Sequence, residues 1–235
     1  MRMTILISHS SALSYWRNLY HREKHDSLPC RLSSAPAQPP NITSFDWESM
    51  YGFTYPLHVS VSTKSTRRRS DFVHSHLIGY PLAKGSVYRV SDELLVSSPE
   101  FCFLQMAGEL SLYRLIKLGY ELCGTYSLRD TGTQDDFQAT DDCTFGLNPL
   151  TDKQKLTAYL SNMPEATGQP KATSALRHIT DGSASPMETL LTMLLTLPRK
   201  HGGYGFSLPE LNAHIYPDRY SKEWSSQEYF KCDLF

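Results

Sequence analysis

Residues 181–198 read Asp181-Gly-Ser-Ala-Ser185-Pro-Met-Glu188-Thr-Leu-Leu-Thr-Met-Leu-Leu-Thr-Leu-Pro198. Asp-Gly-Ser is a turn composition. Ser185 stands where a helix N-cap belongs. Pro186 follows at the first helical position, where a missing N–H costs nothing and the fixed φ suits the helix. Leu190, Leu191, Leu194, Leu195 and Leu197 give a broad apolar face, and Pro198 closes the pattern. A helix is predicted over residues 186–197. Glu188 has two readings within it. Ser185-x-x-Glu188 is a capping box, in which serine accepts from the glutamate N–H and the glutamate reaches back to the serine N–H. The other reading needs a second carboxylate, and the chain offers Asp233 on a strand-like segment at its end.

Downstream of that helix, residues 200–205 form a turn rich in glycine, and residues 208–215 can pair in a sheet, interrupted by Pro209. Residues 228–235 alternate, with Phe230, Cys232 and Leu234 on one face and Lys231 and Asp233 on the other. The sequence stops there in mid-strand, and a sheet with one partner strand is incomplete. The expectation is a fragment of a longer protein, without nuclease activity by itself.

Upstream, residues 4–7 read as a short strand or helix lead-in. Residues 8–17 read as a capped amphipathic helix on the surface, with His9 and Arg17 as exposed candidates. Residues 26–44 are rich in Ser, Pro and Ala and read as a loop. Leu57-His-Val-Ser-Val-Ser alternates as a strand, Phe72-Val-His-Ser-His-Leu-Ile as a second and Ser86-Val-Tyr-Arg-Val as a third. Between the first two lies Lys64-Ser-Thr-Arg67-Arg68-Arg69, which reads either as a basic tip for nucleic-acid phosphates or as a solvated hairpin turn. His74 and His76 would share one strand face; without a third ligand they read as structural.

Ser97-Ser98-Pro99-Glu100 again has the form of a helix start. A further helix over residues 112–118 is expected to end at Gly119 as its C-cap. Asp130, Asp135, Asp136, Asp141 and Asp142 lack the spacing of a calcium loop and read as an acidic loop. Residues 151–160 form a capped helix, and a linker at residues 164–170 marks a domain boundary, giving units at 1–163 and 174–235.

The 235 residues are 40% hydrophobic, enough for a sizeable core, and the net charge of −1 gives no global pull toward nucleic acid or membrane. Five cysteines without a Cys-x-x-Cys pair argue against a disulfide framework and a zinc ribbon. No segment is long and apolar enough to cross a bilayer, so a cytoplasmic location is the expectation.

Ser185-Pro-Met-Glu188 followed by leucines, then Cys232-Asp233-Leu234-Phe235, resembles the very-short-patch-repair-type (Vsr-like) subgroup of restriction-endonuclease-like, PD-(D/E)XK nucleases. Val96-Ser-Ser-Pro-Glu100 and the apolar helix after it are similar to the abortive-infection AbiEi-type antitoxin and regulator family. Together the resemblances imply an α+β fold: a mixed strand/helix N-terminal body, then the start of a restriction-endonuclease-like α/β domain cut off in mid-sheet. They imply metal-dependent DNA endonuclease chemistry in a full-length parent, with Glu188 and Asp233 as catalytic residues and ligands of Mg²⁺. Mg²⁺ prefers oxygen ligands and takes one or two protein carboxylates, keeping waters elsewhere. The alternative is a non-enzymatic DNA-binding regulator, antitoxin-like, using Arg67, Arg68 and Arg69. DNA is the expected partner, with a protein partner of toxin–antitoxin or defence type.

Overall fold

Alternation along short strands sets the frame. In Ile5-Leu6-Ile7, the two isoleucines face one side and Leu6 the other, and all three are buried. That is the pattern of a strand covered on both faces. The computed structural model describes residues 4–19, 30–32, 53–129, 143–216 and 229–234. Ile5–Ile7 is strand β1, followed directly by helix α1 (His9–Leu19). Strands β2 (Cys30–Leu32), β3 (Leu57–Val61), β4 (Val73–Leu77), β5 (Val87–Arg89) and β6 (Leu94–Ser97) complete a six-stranded sheet of order β2-β5-β6-β1-β3-β4. β1 runs parallel to β6 and antiparallel to β3, and β3 and β4 are parallel. Ile5, Ile7, Leu57, Val59, Leu94 and Val96 join the main core, while Leu6, Val87 and Leu95 form a smaller cluster on the other face.

Five further helices build on this sheet: α2 (Pro99–Met106), α3 (Leu112–Cys123), α4 (Lys153–Ser161), α5 (Gln169–Leu176) and α6 (Pro186–Thr196). The fold is therefore mixed α+β. The helix starts follow the sequence chemistry. Ser98 Oγ accepts from the Phe101 N–H at 3.1 Å, Asp152 from Lys155 at 2.7 Å and Ser185 from Glu188 at 3.1 Å. Each such cap contributes about 1 kcal/mol by satisfying a donor that the helix leaves open. All eight residues of α2 are buried, as suits a helix without a polar face.

Several local expectations are corrected. Helix α1 is not a surface helix: residues 11–16 are buried, and Trp16, 1% exposed, donates its indole N–H to the Ser97 carbonyl at 2.8 Å. Nor is Arg17 an exposed candidate, since it grips Glu121 of α3 through two bonds of 2.8 and 2.7 Å. Helix α3 runs through Gly119 to Cys123, and Gly124 is its C-cap. The missing Cβ of Gly119 makes room instead, because a methyl there would lie 2.1 Å from Ile179 Cδ1. The stretch at residues 164–170 contains the start of α5, and one core cluster holds residues from both sides of it, among them Leu160, Ala172 and Ile179.

The helix at residues 186–196 forms as expected, but it buries a different face. Thr189, Thr192, Met193 and Thr196 are turned inward, while Leu191 and Leu194 are exposed. The threonines tolerate burial because their hydroxyls are satisfied. Thr192 donates to the Glu188 carbonyl and Thr196 to the Thr192 carbonyl, both at 2.8 Å. Thr189 bonds the Tyr126 hydroxyl and Ser183 Oγ. Strand β7 (Tyr126–Leu128) pairs with β8 (Cys143–Phe145), and β9 (Leu211–Ile215) pairs antiparallel with β10 (Phe230–Leu234). The aspartates at 130, 135, 136, 141 and 142 and most of the loop at 26–44 lie outside the described residues, as do the side chains of Phe230 and Lys231.

Candidate functional site

Two groups of chemistry-bearing residues stand on separate sheets. The first surrounds Glu188. Its Oε2 accepts from the Ala184 N–H at 2.7 Å, so the carboxylate folds back over the helix start but reaches Ala184 rather than Ser185. Its Oε1 accepts from Asn212 Nδ2 on β9, also at 2.7 Å, and Asn212 donates to the Gly182 carbonyl at 2.9 Å. Asn212 holds a left-handed backbone at φ 55°, which asparagine tolerates better than most residues. β10 lies against β9 with Cys232 opposite Ala213 and Leu234 opposite Leu211. Asp233 is exposed and lies on β10 between Cys232 and Leu234. Glu188 is thus tied to the strand next to the one bearing Asp233. Nothing in the sequence singled out Asn212; its signal was an asparagine inside an alternating strand, where such residues are scarce.

Arg67, Arg68 and Arg69 are exposed, but they do not sit on a hairpin tip. Because β3 and β4 are parallel, the link between them must run back the length of a strand. Its last part lies along β4: the Ser75 N–H donates to the Arg68 carbonyl at 2.8 Å, and Arg69 bridges antiparallel to His74. The arginines therefore line the outer edge of the six-stranded sheet, covering an edge strand that would otherwise offer open donors and acceptors. They stand on a different sheet from Asp233, and Glu188 is on α6.

That same register gathers histidines. His58 of β3 is aligned with His74 of β4, and Ser60 with His76, so alternation places all four on one face. His9 joins them from the start of α1, where its φ of 50° turns the chain out of β1. Its backbone N–H donates to Gln105 Oε1 at 3.2 Å, and Gln105 donates to Ser60 Oγ at 3.3 Å. The His9 and His76 rings stack with centroids 3.5 Å apart, and His76 Nε2 meets His58 Nδ1 at 3.0 Å, one ring donating and the other accepting. His74 lies 4.6 Å from His76 and 5.1 Å from His58 by ring centroids. The other nitrogen of His76, Nδ1, faces a Glu109 oxygen at 3.9 Å.

Burial and crowding keep these rings uncharged. Burial pushes His9 down to about 2, with His76, His58 and His74 adding to the effect. Burial and then His58, His74 and Arg67 bring His76 to about 3; burial and His74 bring His58 to about 4. His74 is lowered by burial, Arg69 and Arg67. Burial also raises the Glu109 carboxyl. Nitrogen atoms of His58, His74 and His76 lie within 4.8 Å of one another, as do ligand atoms of His9, His76 and Glu109. Beside them opens a cavity of about 370 Å³ lined by His9, Arg67, His76, Tyr80, Gln105 and Glu109, among others. A third nitrogen near those of His74 and His76 is that of His58. The signal lay in Leu57-His-Val-Ser-Val, but only a parallel register aligns it.

No protein-family model, no curated protein and no solved structure matches this chain.

Proposed function

We propose that Glu188 and Asp233 of this chain serve metal-dependent DNA endonuclease chemistry of the restriction-endonuclease-like kind as carboxylate ligands of hydrated Mg²⁺, the 235 residues by themselves being inactive as a nuclease. In this reading residues 1–163 are an AbiEi-like body and residues 174–235 belong to a Vsr-like nuclease unit. The observation that carries it is the Glu188–Asn212 bond of 2.7 Å, which fixes the carboxylate against β9, one strand from Asp233. The donor set suits the ion. Each Glu188 oxygen takes one protein N–H, and a carboxylate oxygen has two acceptor positions, so each keeps one for a metal-bound water. Exposed Asp233 can give an oxygen directly. Bound Mg²⁺ would supply an activated water and neutralise charge developing on the scissile phosphate.

The chain's own groups would do the positioning. Asn212 and the Ala184 N–H hold Glu188 in one orientation, which lowers the reorganisation needed on binding. Arg67, Arg68 and Arg69 would hold backbone phosphates along the sheet edge. Their exposure also favours a second reading, a non-enzymatic DNA-binding regulator without use of the carboxylates.

Mg²⁺-competable Mn²⁺ binding, followed by electron paramagnetic resonance, separates the two. The nuclease reading expects a Mn²⁺ site that Glu188→Gln and Asp233→Asn each weaken tenfold or more. Equal Mn²⁺ binding by the parent and both variants would remove the carboxylate centre and leave the regulator.

A further inference from the structure

The histidine cluster is independent of the carboxylates. We propose that His58, His74 and His76 form a binding site for a divalent transition-metal ion of the zinc class, with a fourth coordination position left for water or an anion.

Geometry is the first argument. Zn–N bonds of about 2.0–2.1 Å in a tetrahedron put ligand nitrogens about 3.3 Å apart. The His58 Nδ1 to His76 Nε2 separation is 3.0 Å, and the three residues offer nitrogens within 4.8 Å of one another. Small rotations about χ2 close the remainder. Two adjacent strands with a fixed register carry all three ligands, so the site stands on rigid elements.

The second argument is chemical. Imidazole nitrogens are metal ligands through their lone pairs, and three residues bring theirs together here. In the metal-free cluster the 3.0 Å contact satisfies one lone pair with a neighbour's N–H. An ion would satisfy three at once. Imidazole ligands select Zn²⁺, Co²⁺, Ni²⁺ or Cu²⁺ over Mg²⁺ and Ca²⁺, which prefer oxygen.

Glu109 supplies the third argument. It faces His76 Nδ1 while Nε2 points at His58. A carboxylate behind a ligating histidine fixes its tautomer and raises its basicity. This orientation chooses between the two possible triads. His76 turns Nε2 to His58 and Nδ1 to the Glu109 side, so Nε2 is the nitrogen that converges with His58, while His9 stacks on the His76 ring and Glu109 stands behind it, outside the ligand set. Arg67 and Arg69 oppose a bare cation, and Arg67 lines the cavity beside the site. Their charge favours an anion, such as hydroxide or phosphate, in the fourth position.

Co²⁺ titration of the chelator-treated 235-residue chain tests the site. The expected result is one ion per chain with the intense visible absorption of four-coordinate Co²⁺, displaced by Zn²⁺. His58→Gln, His74→Gln and His76→Gln should each abolish that spectrum, and Glu109→Gln should weaken binding by about 10–100-fold. Glu188→Gln and Asp233→Asn should leave it unchanged, which separates this site from the carboxylate centre. Should a histidine variant fail to fold, ring-nitrogen NMR of the parent gives the same answer. His58, His74 and His76 nitrogens shift on Zn²⁺ addition and His201 does not. Absence of a four-coordinate Co²⁺ spectrum in the parent would overturn the proposal. So would its loss in His9→Gln with retention in His58→Gln and His74→Gln.

Discussion

Gly119 is in the middle of α3, where glycine costs about 1 kcal/mol in helix propensity relative to alanine. It is offset by close approach: a Cβ would meet Ile179 Cδ1 at 2.1 Å and the Phe103 ring at 3.2 Å. Overpacking of this kind costs about 1–3 kcal/mol. Gly119→Ala should therefore destabilise the chain by about 0–2 kcal/mol net in urea unfolding. Ile179→Val removes the offending Cδ1, so Gly119→Ala in that background should be neutral or stabilising. A Gly119→Ala protein as stable as the parent would show that Ile179 moves aside freely. The residue was misread as a helix end because the contact that explains it comes from a residue 60 positions away, which no local pattern reveals. Caps are different: Ser98 and Ser185 bond a residue three positions on, and both were legible. Glu188 lies between the two cases. Its N–H bond to Ser185 is local and was expected, whereas its bond to Asn212 is tertiary and was not.

At the scale of elements, the alternation in Leu57-His-Val-Ser-Val and Val73-His-Ser-His-Leu identifies both strands but not their relative direction. An antiparallel hairpin and a parallel crossover have the same period. The parallel choice moves the arginines from a tip to a sheet edge and aligns His58 with His74. For α6, the leucine pattern located the helix, yet the buried stripe contains three threonines whose hydroxyls are satisfied. The edge placement gives a specific expectation for DNA. Arg68 is partly engaged with the Ser65 and Arg67 carbonyls, at 3.3 and 3.2 Å, in contacts that a phosphate can replace. Duplex DNA should bind weakly and without sequence preference, with log affinity falling by roughly 0.9 per log unit of salt for each phosphate contacted. Replacing Arg67, Arg68 and Arg69 together by alanine should flatten that salt slope by about two to three units. Fluorescence anisotropy at several salt concentrations measures it, and an unchanged slope would leave the three arginines as an edge cover only.

Across the whole molecule, one hydrophobic cluster extends from Ile5 to Leu211, joining the six-stranded sheet to α6 and β9. Polar ties reinforce it where distant segments meet. Glu121, 5% exposed, is the clearest of them. It receives both Arg17 bonds from α1 and, through Oε1, the Leu128 N–H of β7 at 3.1 Å. One carboxylate thus holds three elements that are far apart in sequence. A buried pair that loses one member leaves an uncompensated charge, which costs about 3–5 kcal/mol, whereas an exposed pair is worth about 0–1 kcal/mol. Glu121→Ala removes the buried acceptor of both Arg17 bonds and of the Leu128 N–H, so it should fall in the first range. Arg17→Ala leaves the more buried partner, the carboxylate, with its Leu128 bond but without its counter-charge, so it should fall in the same range. Glu121→Gln should rank below Glu121→Ala, since the amide oxygen can still accept from Leu128. Urea unfolding of the three variants gives the order directly. A Glu121→Ala cost below about 1 kcal/mol would put this pair in the surface class and leave the apolar cluster as the principal link between α1, α3 and β7.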